Sequence, residues 1–445
     1  MLFLLQSTLI EENNNKLFSY FRTRLVKNSF YTGVALIFIG LTPFIFNFFV
    51  GRTFGAETLG SINITINFCL IITIFISNFF GSAGNKYLAE FRGRNYLDNF
   101  LYTFKIIFFG SAFFLIIIGI ILYVKWNYFF NKFSLPENLL IPIIFYIFLR
   151  TIYILLRKTL YGMDLVRHYA YNEILAAIFM FAMIVYVCYN NFPNFLIHTY
   201  LVSYFIFLIL CISTLSKNFN KTTSSMNRIN NFSNNDVLKE FSRYGLVSMI
   251  GTVASTGTGY LSVIVTGMYL NHLEAGVFSA VLSVVSILMF FPKLFIQVFL
   301  PEFSKLFGEG AKKKIVQIFK QTFFILFLFS LVTCLILLFL SDRILMLFGQ
   351  DFSGGSTILK IILPSLFIRM ISIPCNAFLS GTKYILVPNI GGIIILLVSS
   401  FSWFLLVPNY HGLGIAMGYS LGITIGIGYQ IVASIFKLKS FMSSI

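Results

Sequence analysis

Two arginines stand inside apolar runs: Arg150 in YIFLRTIYILLRKTLYG (residues 146–162) and Arg369 in LFIRMISIPCNAFLSG (residues 366–381). A guanidinium presents planar N–H donors that grip carboxylate or phosphate two at a time, so arginines in dry surroundings are suited to holding an anion. Lys293, eight residues before Pro301, and Arg52, at the end of the first apolar run, could add to the same positive field. Other chemistry has little material. His168, His198, His272 and His411 are scattered, and the five cysteines (Cys69, Cys188, Cys211, Cys334, Cys375) lie in apolar stretches without metal or redox spacing. No catalytic residue, metal-ligand set or cofactor motif is assigned.

The elements that must position these cations are membrane spans. Of 445 residues, 58% are hydrophobic and 11% charged, too little polar surface to enclose a water-soluble core. Apolar runs long enough to cross roughly 30 Å of hydrocarbon as helices recur about twelve times. The expected spans are 29–50, 60–80, 104–124, 139–156, 170–190, 194–214, 244–268, 275–298, 321–341, 357–379, 385–406 and 412–436.

The net charge of +17 has a topological origin rather than a nucleic-acid one. Of the 32 Lys and Arg, only Arg52, Lys125, Lys132, Arg343 and Lys360 fall in one set of alternate loops. Arg150, Lys293 and Arg369 fall in spans, and the rest lie in the other loops and the tails. The positive-inside rule then puts both termini in the cytoplasm, which demands an even number of spans. The start, MLFLLQSTLIEENNN, lacks the basic flank and cleavage site of a signal peptide.

The chain also repeats itself. TLGSINITI (58–66) matches EAGVFSAVL (274–282), LAEF (88–91) matches LPEF (300–303), Phe104-Lys105 matches Phe319-Lys320, and LYGM (160–163) matches LSGT (379–382). These pairs occur in the same order at separations of 212 to 219 residues, which pairs Gly60 with Gly276 and Gly162 with Gly381. The expected organisation is a cytoplasmic arm (1–28), a first six-helix half (29–215), a polar cytoplasmic linker (216–243), a second half (244–436) and a tail (437–445). Halves with even span counts enter the membrane from the same side. The fold class is therefore an all-α integral membrane protein, two parallel-repeat six-helix bundles around a central cavity.

Arg150 and Arg369 are themselves 219 residues apart and so occupy equivalent places in the two fourth helices. Arg150 could snorkel toward headgroups beside Arg157, whereas Arg369 lies mid-span with Lys360 and Lys383 far on either side. A central arginine costs roughly 2.5 to 3.5 kcal/mol on insertion scales, so it is expected to face the cavity. Pro364 and Pro374 are expected to bend its helix. Glu173 is the one acid expected inside a span. It reads as lying near the inner end, either pairing with Arg167 or Arg150 or serving as a coupling group.

At GRTFGAETLGSI (51–62) and LPEFSKLFGEG (300–310) the chain resembles the polysaccharide transporter family, the O-antigen and lipid-linked oligosaccharide flippases of the multidrug/oligosaccharidyl-lipid/polysaccharide exporter superfamily. The matching residues are Arg52, Gly55, Glu57 and Gly60 in the first stretch, and Pro301, Glu302, Gly308 and Lys312 to Lys314 in and after the second. Met268 stands where the repeat would place a mate for Arg52.

The resemblance implies transport of a polyprenyl-pyrophosphate-linked glycan across a bacterial inner membrane by alternating access, without enzymatic activity and feeding a downstream polysaccharide polymerase. It assigns substrate binding to Arg369, Arg150, Lys293 and Arg52, and requires the lipid bilayer but no nucleic acid or cofactor. One alternative is an ion-coupled drug or small-solute antiporter of the same superfamily, which would need a membrane-embedded carboxylate. Another is a membrane-embedded polysaccharide polymerase or glycosyltransferase. Short outer loops, with Asp342 and Asp351 lacking catalytic partners, count against that second alternative.

Overall fold

The structure is a computed structural model and describes residues 24–133, 135–224, 226, 233–289, 292, 295, 303, 306, 312–381, 384 and 386–443. Two of its helices are far too long for one membrane crossing, and each is folded back at a single non-helical residue. Arg24–Gly93 breaks at Gly55 (φ 81°) and Leu386–Ser443 breaks at His411 (φ 49°). Side chains prove the reversals. Asn63 Nδ2 donates to Asn47 Oδ1 at 3.0 Å, although sixteen residues of straight helix would separate them by about 24 Å. Gln430 likewise reaches the carbonyl of Pro388 at 3.2 Å.

Divided at these breaks, and apart from the short helix Trp126–Phe133 and single 3-10 turns, the described helices number twelve. In the first half they are α1 (24–54), α2 (56–93), α3 (Leu97–Val124), α4 (Leu140–Gly162), α5 (Val166–Tyr189) and α6 (Leu196–Ser224). In the second half they are α7 (Asn234–Tyr269), α8 (from His272–Leu288), α9 (Lys312–Met346), α10, α11 (386–410) and α12 (412–443). α10 comprises Gly355–Ile371 and Ile373–Ser380, bent by 41°. The all-helical architecture is the expected one, while the helices overrun the expected spans. The polar stretch 216–243 is in large part helical, because α6 continues to Ser224 and α7 starts at Asn234, capped by the Ser233 hydroxyl. Polar composition ends a membrane span but leaves a helix free to continue.

The bend in α10 has one cause rather than the two expected. Pro364 sits within continuous helix, whereas the break falls at Ser372, two residues before Pro374. Pro374 offers no N–H to the Met370 carbonyl and its ring crowds that oxygen.

The repeat-paired glycines Gly60 and Gly276 lie against each other. A Cβ on Gly60 would lie 1.7 Å from the His272 carbonyl oxygen and 2.8 Å from the Gly276 nitrogen, and one on Gly276 would lie 1.9 Å from the Ala56 oxygen and 3.0 Å from the Gly60 nitrogen. Each repeat-paired glycine thus admits the other's backbone. This meeting point lies at the end away from the linker, called here the far end. Phe348 stands edge-on to Phe44 and Phe48, each at 5.8 Å, and closes the same end. At the linker end Phe241 of α7 packs on Phe79 and Tyr87 of α2, and Lys86 lies 4.4 Å over the Tyr244 ring.

In the second half, Trp403 of α11 donates its indole N–H to the Ile415 carbonyl of α12 at 3.0 Å and fills the space beside Gly418. Trp403→Phe is expected to cost about 1 to 2 kcal/mol of stability through the lost bond and volume. Thermal unfolding of the purified variant measures this, and an unchanged midpoint would contradict it.

Candidate functional site

Between the halves lies a cavity of about 390 Å³, lined by α1, α2, α4, α5 and α6 from the first half and α7, α8, α10 and α12 from the second. Both repeat-paired arginines, Arg150 and Arg369, line it. Arg150 therefore points inward instead of snorkelling.

The surroundings of Arg150 follow from helical spacing. Tyr146 and Tyr153 stand one turn before and one turn after it on α4, on the same face. Across from them, α6 presents Tyr200 and Tyr204, again one turn apart. Arg150 Nη1 donates to the Tyr204 hydroxyl at 3.0 Å, which in turn lies 3.3 Å from the Tyr146 hydroxyl. The guanidinium carbon is 5.0 Å from the Tyr153 ring centroid and 5.1 Å from that of Tyr204. Aromatic faces attract a cation strongly when water is excluded, so this cage both solvates and orients the charge.

Glu173 is deeper than its sequence position suggests. It is 6% exposed and lines the same cavity. Among the described residues it makes no ion pair with Arg150 or Arg167. Tyr153 instead donates its hydroxyl to Glu173 Oε1, and Arg167 lies over the rings of Tyr31 and Tyr171. One ring thus separates cation from carboxylate, its face toward Arg150 and its hydroxyl on Glu173. Arg150 Nε and Glu173 Oε2 are both buried without a hydrogen-bond partner among the described residues.

The second half is barer. Arg369 is half-buried, three residues before the α10 bend, and its side chain has no hydrogen bond, ion pair or ring contact among the described residues. At the places equivalent to Tyr146 and Tyr153 stand Ser365 and Ser372, whose hydroxyls turn back to the carbonyls of Ile362 and Arg369. One arginine is held in a cage, while its mate has no side-chain partner among the described residues.

Toward the far end the cavity is lined by Asn47, Asn63 and Asn67. Each amide donates within the protein: Asn63 to Asn47 and the Leu59 carbonyl, Asn67 to the Asn63 carbonyl, and Asn47 to the Ser279 carbonyl of the other half at 3.5 Å.

Arg52 does not line the cavity. It is exposed at the far end, where Nη1 reaches the Leu347 carbonyl at 3.4 Å, so the structure gives it a contact between halves. Lys293 lies outside the described residues. Lys158, grouped with the loop cations from sequence, instead reaches into the first half and donates to Asn78 at 3.0 Å and Ser82 at 2.8 Å. The tyrosine cage escaped sequence reasoning because 23 tyrosines in a biased composition carry no information as a total. The signal was local: tyrosines one turn either side of a buried-span arginine.

The MatE family model matches residues 246–405. No curated protein sequence matches the chain. A solved structure described as an inward-facing multidrug resistance MATE family transporter of the MOP superfamily superposes with a TM-score of 0.75 at 13% identity, covering 92% of this chain and 99% of that one. An outward-facing structure with the same description gives 0.68 at 12% identity, covering 94% and 96%. A MOP superfamily transporter from Pyrococcus furiosus Vc1, described as having a binding pocket of reverse polarity, gives 0.67 at 13% identity, covering 94% and 96%. The chain has the fold of the MATE transporters of the MOP superfamily, with the MatE family pattern in its second half.

Proposed function

We propose that this chain is an ion-coupled, alternating-access transporter of a small anionic solute, carried in the cavity between its halves. The observation that carries this reading is that one cavity holds Arg150, Arg369 and Glu173 together. Two guanidinium groups set a positive field in dry surroundings, and Glu173 supplies the membrane-embedded carboxylate that ion coupling requires. The described neighbours of this fold include multidrug transporters captured facing each way, and one whose binding-pocket polarity is described as reversed, so pocket polarity varies within the fold. The closed far end of this chain is the outer end by its charge pattern.

Purified protein in proteoliposomes under a pH gradient, offered radiolabelled organic phosphates, carboxylates and ammonium compounds of similar size, tests the proposal. Uptake of anions stimulated by the gradient is expected. Glu173→Gln is expected to remove the stimulation while leaving exchange of unlabelled for labelled solute. Uptake confined to cations, or a gradient response unchanged in the variant, would refute it.

A second reading, flipping of a polyprenyl-pyrophosphate-linked glycan toward a downstream polymerase in a bacterial inner membrane, is favoured by the same two arginines, which suit pyrophosphate. It predicts that cells lacking the chain accumulate one lipid-linked glycan by mass spectrometry, and that Arg369→Ala fails to clear it.

A further inference from the structure

The helix α3 is interrupted where it lies behind a seam between the halves. Its residues Ile106–Gly110 wind as a π turn between the α-helical stretches Leu97–Lys105 and Ser111–Val124. A π turn holds one residue more than an α-helical path, and it is rare enough that its position calls for a reason. The buried side of α3 supplies one. Thr103, Ile107, Ser111 and Leu115 are buried at steps of four residues. In a regular helix each such step turns the face by about 40°, so three steps would carry it about 120° away from its neighbour. The wider turn takes back part of that drift and keeps the face on α2.

Two side chains cross this contact in opposite directions. Ile107 of α3 fills a notch at Gly84 of α2, where a Cβ would lie 2.5 Å from its Cδ1. Phe80 of α2 fills a notch at Gly110 of α3, where a Cβ would lie 2.5 Å from the ring. The π turn sets the spacing between Ile107 and Gly110 and so lets both seats fill at once. Held from behind in this way, Phe80 stands 4.8 Å from Phe79 and 6.4 Å from Phe241 of α7, which is wholly buried. The main chains touch as well, since a Cβ on Gly245 of α7 would lie 2.8 Å from the Phe79 carbonyl oxygen. Lys86, over the Tyr244 ring, completes the seam.

From this arrangement we propose that the π turn of α3 braces the linker-end seam between α2 and α7, holding Phe79 and Phe80 against Phe241, and that the halves part there when the brace gives way. The device acts on the conformational equilibrium of the protein, whatever solute is carried.

Deleting Phe109 tests it. This residue is 75% exposed, and its loss brings Ile107 and Ser111 to three-residue spacing, so a regular helix then buries the same face. Ile107 and Gly110 then stand too close along α3 for both seats to fill. Spin labels at Ala89→Cys and Arg243→Cys, exposed positions on α2 and α7, are introduced into the full chain lacking its five native cysteines. Their separation is read by pulsed electron resonance in proteoliposomes. The deletion is expected to enlarge the longer-distance population about fivefold, as the closed seam loses one seated apolar side chain. Helix content by circular dichroism is expected to stay unchanged. Phe109→Ala, which removes the side chain and keeps the turn, is expected to leave the distances as they are. Gly110→Val, which blocks the Phe80 seat at constant chain length, is expected to enlarge the same population, and it decides the matter should the deletion not fold. Unchanged distances in the folded deletion variant or in Gly110→Val would overturn the proposal, as would an equal rise in Phe109→Ala. None of these results bears on the solute, so the transport reading stands or falls separately.

Discussion

Gly60→Ala is expected to hold the far end open and to reduce transport by more than tenfold. The new methyl group would have to occupy a point 1.7 Å from the His272 carbonyl oxygen and 2.7 Å from its carbon, both main-chain atoms of the opposite half. No rotamer change relieves such a contact, so the helices must move apart. Overpacking in a tight core costs about 1 to 3 kcal/mol even where side chains can adjust. Here the strained state is the closed far end alone, and the two-state equilibrium shifts away from it. The expected observable is labelling of Leu282→Cys, which lines the cavity, by a membrane-impermeant thiol reagent applied from the far side, in a background lacking the five native cysteines. Labelling should rise at least tenfold with Gly60→Ala. Unchanged labelling would mean that the glycine contact does not close the cavity.

Arg369→Ala is expected to lower solute affinity at least tenfold, or about 1.4 kcal/mol, with little effect on stability. The reasoning is asymmetric between the repeat mates. Arg150 is embedded among Tyr146, Tyr153 and Tyr204, so truncating it opens the cage and strips a charged donor from Tyr204. Arg369 has no side-chain partner among the described residues, and its removal leaves no group stranded. Arg369→Lys should recover part of the lost affinity, since it keeps the charge and loses the planar fork. Titration with the organic anion carried fastest in proteoliposomes measures these differences. An affinity unchanged in Arg369→Ala would remove the second half from the binding site.

Much of this arrangement is legible in the sequence. Apolar runs and turn residues located twelve helices, the repeat paired Gly60 with Gly276, and the same repeat pointed Arg150 and Arg369 at one cavity. These features depend on hydrophobic length and on sequence offsets, which a single chain displays. Depth and facing are different. Arg52 and Arg369 look alike as cations at apolar runs, yet one lies exposed beside Leu347 and the other in the cavity, because the inter-half packing decides which way a helix end faces. Glu173 reads as shallow when counted from the loop that ends at Val166. Packing among the helices buries it at the central cavity. The reversals at Gly55 and His411 fall in the gaps between expected spans 29–50 and 60–80 and between 385–406 and 412–436, and the contacts Asn47–Asn63 and Pro388–Gln430 show them in three dimensions.

The central claim is that the two halves rock against each other, parting at the Gly60–Gly276 contact, to expose one cavity to alternate sides. Paired spin labels test it most directly, one pair at the far end (Glu57→Cys with Leu273→Cys) and one at the linker end (Ala89→Cys with Lys439→Cys), all at exposed positions on opposite halves. Distances are read by pulsed electron resonance in proteoliposomes with a pH gradient imposed and then collapsed. The expected result is reciprocal: as the far-end pair gains a longer distance, the linker-end pair gains a shorter one. Distances that stay fixed at both ends, or lengthen together, would contradict the account.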